Sequence, residues 1–301
     1  MLAVAVAVLV LAPPLAPALR DTDVLLVRVL DVSDARIGGD AILITDSAGG
    51  RARHVLIDAS DHGATVVGWL LRFHVDTLAA VILSHPHADH YGGLPDVLQR
   101  FPARAFIFGG TPRAAVTYRR LLRQVDRLGL TVVVADTGVR RIVVSTADDS
   151  IVLILLAPPP DCRALAGAAG GDDINNCSVG VRLARDSFAM FLPGDAEREE
   201  LAWWMGRYRH LLPAPVLKAS HHGSINGISP EWLAVVRPRA VAISANGRQH
   251  PFAEVLALLA ARGIPAYCTA DAGTITIRVP RGGAWTVATE HPGACHARTV
   301  H

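Results

Sequence analysis

From Val24 onward, short apolar runs rich in β-branched residues alternate with stretches of helical spacing. Val24–Val32, Ala41–Thr45 and Val55–Ile57 read as strands broken by Gly, Asp and Ser turns, and Thr65–Phe73 has the spacing of a helix. Ala79–Leu83 is apolar at every position, the pattern of a strand covered on both faces, and it ends at Ser84. After a strand at Arg104–Phe108, Pro112 sits where a first helical turn tolerates proline, and a basic amphipathic helix runs to about Leu128. Strands follow at Thr131–Ala135, Arg141–Val144 and Ile151–Leu156, then a loop through Pro158–Pro160 and Ala164–Gly171. The second half repeats the theme. Strands at Val179–Leu183, Phe188–Leu192, Val216–Lys218, Ala240–Ser244, Ala266–Cys268 and Thr274–Val279 are interleaved with helices at Ala196–Met205, Pro230–Val236 and Phe252–Arg262. Two series of strands with intervening helices predict an α/β (α+β) domain of two sheets packed face to face, helices outside. That domain is expected over residues 19–290, with residues 291–301 as a tail.

The first residues follow another pattern. Leu2–Ala12 is an unbroken apolar run, followed by Pro13-Pro14 and Ala16-Pro17-Ala18 before the first charge at Arg20. Such a run falls short of the roughly 20 residues that cross a bilayer. It suits the core of a secretory signal, with small residues placed for cleavage, although no Lys or Arg precedes it. Residues 1–18 are therefore expected to be a signal peptide that exports the protein to the periplasm or outside; a misassigned start codon or the stub of a longer membrane segment are the other readings of the run, and a cytoplasmic protein the alternative location.

Composition adds little. A 51% apolar content and a net charge of +2 describe a folded chain and exclude a polyelectrolyte. Cys162, Cys177, Cys268 and Cys295 form no C-x-x-C pair, which argues against a zinc finger. In an exported protein, Cys162 with Cys177 and Cys268 with Cys295 are candidate disulfides; buried free thiols are the other reading.

The chemistry is concentrated in His85-Pro86-His87-Ala88-Asp89-His90, directly after the apolar strand. Imidazole and carboxylate are ligands that Zn²⁺, Mn²⁺ and Fe²⁺ accept. His85 and His87 can meet one ion while Asp89 and His90 meet a second, and Gly92-Gly93 lets the chain turn into the next helix.

This hexapeptide resembles the signature of the metallo-β-lactamase superfamily, and the order of elements is similar over about Val24–Val279. More narrowly, the chain resembles the hydrolase domain of the competence protein ComEC and its free-standing relatives. The resemblance implies a four-layer αββα sandwich of two mixed sheets. It also implies two divalent metal ions, Zn or Mn, held by His85, His87, Asp89, His90, Asp195 and His221. In Leu56-Ile57-Asp58, Asp58 would orient a metal-binding histidine. Asn176 and Ser178 match an Asn-x-Ser-Val element, and Gly194-Asp195 matches the Gly-Asp that supplies a bridging carboxylate. Leu217-Lys218-Ala219-Ser220-His221-His222-Gly223-Ser224 matches Leu-Lys-x-x-His-His-Gly-Ser, with His221 as ligand and His222 facing substrate or supporting the ligands. Adjacent residues of an extended chain point opposite ways, which separates the two roles. Lys218 would hold an anionic substrate group. Asn246 and His250 match a strand-Asn-x-x-x-His-Pro element, with His250 as general acid or phosphate-oxygen donor.

Departures qualify the match. The opening motif keeps only Leu30-Asp31-Val32 and Gly39-Asp40-Ala41. The third histidine that the wider superfamily gives the first metal site is missing around Asp172–Ser178, so Asp172, Asp173 or water would complete it. The implied activity is hydrolysis by a metal-bound hydroxide, of a phosphodiester in DNA or a nucleotide. Alternatives are hydrolysis of a lactone, thioester or β-lactam, or a non-catalytic metal protein on the same scaffold. No flavin domain and no stable membrane partner are expected. The basic segment Arg113–Arg127 suits a polyanion or a solvated helix face equally.

Overall fold

A computed structural model describes residues 23–34, 39–48, 51–145, 150–165 and 174–297. The expected signal segment, part of the altered opening motif, the Asp172 and Asp173 alternatives and the end of the tail lie outside these residues.

The strands of the first half are β1 (Val24–Val29), β2 (Ile42–Ala48), β3 (Arg51–Ile57), β4 (Leu78–Leu83), β5 (Ala105–Phe108) and β6 (Thr131–Val134). They are followed by β7 (Val139–Ser145), β8 (Ser150–Leu156), β9 (Gly180–Arg185), β10 (Phe188–Leu192), β11 (Val216–Lys218), β12 (Ala240–Ile243) and β13 (Ala266–Cys268). The last two are β14 (Ile275–Pro280) and β15 (Thr286–Thr289). One sheet has the order β15-β14-β1-β2-β3-β4-β5-β6, the other β13-β12-β11-β10-β9-β8-β7. Both are mixed: β3 to β6 run parallel and β10 to β13 run parallel, while the remaining pairs are antiparallel.

The helices are α1 (Gly63–Arg72), α2 (Ala88–Tyr91), α3 (Leu94–Arg100), α4 (Val116–Arg127), α5 (Arg198–Arg207), α6 (Pro230–Val236), α7 (Ala253–Ala261) and α8 (Thr269–Ala272). Three apolar layers hold the sandwich. Val27, Ile44 and Ile82 of one sheet meet Leu153, Leu183 and Met190 of the other. Leu70, Val97, Tyr118 and Leu121 bring α1, α3 and α4 onto the outer face of the first sheet. Leu201, Trp204, Trp232 and Leu259 bring α5, α6 and α7 onto the outer face of the second. The parallel strand β4, Leu-Ala-Ala-Val-Ile-Leu, therefore feeds two layers at once, which is why it shows no polar alternation. Burying each such aliphatic side chain contributes about 1.5–3 kcal/mol. This is the four-layer αββα sandwich expected from the sequence.

Two details differ. The basic helix begins at Val116 because the chain before it is held extended, with Arg113 donating to the Pro86 carbonyl at 2.9 Å. Strand β15 has no counterpart in the sequence reading; its four residues are only half covered or exposed. Cys162–Cys177 and Cys268–Cys295 are disulfides, and no cysteine is free. No helix among the described residues is long and apolar enough to cross a membrane.

Candidate metal centre

The carboxyl ends of β3, β4, β10, β11 and β12 open onto one edge of the sandwich, and each delivers a polar group there. At the end of β3, Asp58 is fully buried in a left-handed conformation (φ 58°). Its Oδ1 accepts from the Ser84 N–H at 2.8 Å, and its Oδ2 accepts from Ser84 Oγ and from His90 Nδ1, each at 2.7 Å. That contact turns His90 Nε2 to face Asp195 Oδ2 at 3.1 Å. Burial opposes a charge on His90, but Asp195, Asp58 and Asp89 outweigh it and push the imidazole pKa well up. His85 lies against His90, ring centroids 4.2 Å apart, and its Nε2 is 2.9 Å from His87 Nδ1. Burial, then the charge on His90, holds His85 well below the usual histidine range, so its ring is neutral and has a lone pair to offer.

The chain leaving β11 decides the second half of the site. His221 (φ 45°), His222 (φ 53°) and Gly223 (φ 83°) are all left-handed, so this turn is not the extended chain assumed from the sequence. The turn sends His222, not His221, into the centre. His222 Nε2 lies 3.1 Å from Asp195 Oδ2 and 3.6 Å from Asp89 Oδ2, while its Nδ1 donates to the Ser244 carbonyl at 3.0 Å. Asp89, His90, Asp195 and His222 each place one donor atom within 4.8 Å of the other three. His221 instead points to the rim, with Nδ1 2.8 Å from Glu197 Oε1, its side chain 23% exposed. The ligand assignment from sequence is corrected accordingly: His222 takes the place given to His221.

These donors suit a metal ion. His222 Nε2 and Asp195 Oδ1 are buried without a hydrogen-bond partner despite lying among other polar atoms, the state of ligand atoms aimed at a shared cation. The cysteines are all in disulfides, so the donor set is imidazole and carboxylate, which suits Zn²⁺ or Mn²⁺.

Lys218 is also corrected. It is fully buried, packed on the Asp40 carboxylate, with Nζ 3.3 Å from the Gly194 carbonyl and 3.6 Å from Asp195 Oδ1. It cannot reach a substrate; it neutralises charge beneath the ligands. Burial would lower its pKa, but Asp40 and Asp195 raise it, so it stays an ammonium.

Other supports fall into place. Asn176 Oδ1 accepts from the N–H groups of Glu197 and Glu200 at 3.0 and 3.2 Å, closing the start of α5. Ser178 Oγ accepts from the Asp195 N–H at 3.2 Å. Asn246 Oδ1 accepts from the Arg248 N–H at 3.0 Å, shaping the loop to His250. The His250 ring lies tilted beside His221 and His222, with centroids 5.4 and 5.9 Å away. Burial and then the charges of those two rings push its pKa down to about 3. It is thus neutral near pH 7 and able to hydrogen-bond a neighbouring oxygen.

Three functional residues escaped the sequence reading. Asp40 pairs with Lys218 and approaches His222 Nδ1 at 3.5 Å. Glu197, two residues after Asp195, holds His221. Ser84 bridges Asp58, His85 and His90. Gly39-Asp40 was visible as a motif fragment; its packing was not. A Cβ at Gly39 would lie 1.7 Å from the Asp89 carbonyl oxygen, so only glycine lets this loop cover the metal loop.

Glu200 yields a prediction. Its carboxyl is fully buried, accepts from the Ser178 N–H at 3.1 Å, and has Oε1 without a partner. Burial pushes its pKa well up, which that one bond only partly offsets. The folded chain then holds a proton that the unfolded chain releases above its usual 4.5, so stability falls as pH rises through and beyond that value. Glu200→Gln keeps the acceptor without the charge. It is expected to raise stability by about 1–3 kcal/mol at pH 8 and to change little near pH 4, read from thermal melts at both pH values.

Residues 36–157, which contain the metal loop, match the family model described as the metallo-beta-lactamase superfamily. The chain carries a metallo-β-lactamase superfamily domain. Its imidazole–carboxylate centre is of the kind that holds a metal ion. A hydroxyacylglutathione hydrolase of Parasynechococcus marenigrum (strain WH8102) is 35% identical over 75 residues, 24% of this chain and 30% of that protein. ComE operon protein 3 of Bacillus subtilis (strain 168) is 33% identical over 107 residues, 35% of this chain and 14% of that protein. The chain thus spans less than a third of either relative. Among solved structures, Tm1679, a metal-dependent hydrolase of the beta-lactamase superfamily, superposes with a TM-score of 0.54 at 12% identity. That match covers 88% of this chain and 99% of Tm1679. A mutant of CmlA beta-hydroxylase gives 0.53 at 12% identity, over 85% of this chain and 54% of its own. The metallo-β-lactamase fold is therefore clear, and because a hydroxylase shares it, the fold alone does not choose the reaction.

Proposed function

We propose that this metallo-β-lactamase domain hydrolyses phosphodiester bonds, with DNA or a nucleotide as substrate. The observation that carries the reading is the buried group Asp89, His90, Asp195 and His222 beside the paired imidazoles of His85 and His87. His85, His87, Asp89, His90, Asp195 and His222 would hold divalent metal, with the carboxylates offsetting its charge. Such ions, when bound, supply Lewis acidity and charge neutralisation.

The protein's own groups do the rest. Asp58 and the Ser244 carbonyl fix the rings of His90 and His222, so that each presents Nε2 inward. Lys218 balances the buried carboxylates from below. At the rim, His221 held by Glu197 and the neutral ring of His250 are placed to hydrogen-bond the non-bridging oxygens of an anionic diester. Arg113, fixed to the Pro86 carbonyl of the metal loop, adds a cation on the same side. No histidine lies in the sequence around Asp172–Ser178 to favour lactam hydrolysis, and Asn176 there serves α5.

The hydroxyacylglutathione hydrolase relative supports a second reading, thioester hydrolysis at the same centre. Turnover of bis(p-nitrophenyl) phosphate and single-stranded DNA by the full chain with Mn²⁺ or Zn²⁺ tests between them. Metal-dependent cleavage is expected, lost in an Asp89→Ala/His222→Ala variant. Tightly bound metal with no diester turnover, but hydrolysis of a thioester, would replace the first reading by the second.

A further inference from the structure

The metal centre accounts for none of the arginines on α4. Arg119, Arg123 and Arg127 recur every fourth residue and form one exposed row, with Arg120 exposed on its flank. The opposite face, Tyr118, Leu121 and Val125, is buried against the first sheet, so the row must face out. Like charges at this spacing destabilise a helix, whereas a solvated face ordinarily mixes signs. Asp126 is the helix's single carboxylate. The chain keeps an unfavourable row, which asks for an anionic partner.

Its placement says which. The N-terminal end of α4 is tied to the metal loop: Tyr91 Oη, one residue after His90, lies 2.7 Å from Thr117 Oγ1, and Arg113 reaches Pro86. Farther along, Gln124 donates to the Pro95 carbonyl at 2.9 Å, so the helix is fixed on α3. Beyond its C-terminal end, Thr131 donates to the Arg104 carbonyl at 3.0 Å. Arg104 lines a cavity of about 480 Å³ together with Arg51, Arg53, His54 and one acid, Asp76. Arg51 and Arg53 are two apart on β3 and so share a face. Cations thus run from the metal loop along α4, about 18 Å of helix at 1.5 Å per residue, to a basic cavity at the far edge.

We infer that this arginine row and the cavity at its end bind the backbone of single-stranded nucleic acid that continues out of the metal centre. The inference rests on the phosphodiesterase reading for what the track serves, but not for its test. A track of separated arginines suits a chain of phosphates at regular intervals; a single nucleotide would occupy one end of it.

The test is binding of a fluorescently labelled single-stranded oligonucleotide to the full chain in chelator, read by anisotropy from 50 to 200 mM salt. Wild type is compared with Arg119→Ala/Arg123→Ala/Arg127→Ala and with Arg51→Ala/Arg104→Ala, all exposed positions. Each neutralised phosphate adds about 0.7 to the log–log salt slope. The triple variant should therefore lose about 2 from the slope and bind about tenfold or more weakly at 50 mM. The double variant should lose about two thirds as much from the slope, about 1.4. Turnover of bis(p-nitrophenyl) phosphate should be unchanged in both, since neither set touches the centre. Equal affinity and slope in wild type and the triple variant, or no binding by wild type, would overturn the track. Diester turnover failing in every form, with binding lost in the variants, would leave the track standing and remove only the phosphodiesterase reading.

Discussion

Alanine in place of His222 is expected to strip metal from the protein, whereas alanine in place of His221 is expected to leave metal content unchanged. His222 is 6% exposed, with Nε2 within 3.1 Å of Asp195 Oδ2 and 3.6 Å of Asp89 Oδ2. Removing a residue that merely orients a ligand typically costs 10–100-fold in metal affinity, so loss of a ligand should exceed about 100-fold. His221 reaches only Glu197 and the rim, and its loss should appear in substrate handling, as a raised KM or lowered kcat with metal bound. The backbone points the same way. Two consecutive non-glycine residues in left-handed conformation cost about 1–3 kcal/mol each and persist only where the surroundings demand them. Here the demand is that one imidazole turn inward from a strand end. Metal content after dialysis, by atomic emission, decides it: loss in His221→Ala with retention in His222→Ala would reverse the assignment.

That backbone also marks where the sequence stopped being legible. The four-layer architecture could be read because apolar runs and helical spacing are local signals, and β4 with its following histidines is one continuous stretch. His85, His87, Asp89, His90 and Asp195 lie near one another in the structure because they sit on the segments that leave β4 and β10, Asp89 and His90 within α2. The choice between His221 and His222 depends on φ angles that no hydrophobic pattern encodes. Lys218 looks surface-bound by residue type, yet it is the chain's one lysine among 29 basic residues and is fully buried. Its explanation is Asp40, far away in sequence, across the join between two sheets. Helix α4 could be read as amphipathic and basic, but whether its arginines lead anywhere required the contacts at Tyr91, Pro86 and Thr131.

The Lys218–Asp40 pair carries the other large expected effect. Lys218→Met should destabilise the fold by about 3–5 kcal/mol, because it leaves the Asp40 carboxylate buried without its cation. Asp40→Asn alone should cost a similar amount from the other side, stranding an ammonium between Gly194 and Asp195. The double variant Asp40→Asn/Lys218→Met removes one charge of each sign and should regain most of that loss, since apolar replacement of a buried pair is often near neutral. Urea midpoints of the four proteins give the coupling free energy directly. A midpoint for Lys218→Met equal to wild type would show that Asp40 finds another partner, and the pair would then be incidental. Metal binding separates charge balance from a direct role. The double variant leaves the net charge beneath Asp195 unchanged, so it should hold metal within about tenfold of wild type. If it folds as well as wild type and still loses metal, the ammonium must position Asp195 itself. Lys218 would then belong to the centre as a positioning residue, not only to the charge balance of the fold beneath it.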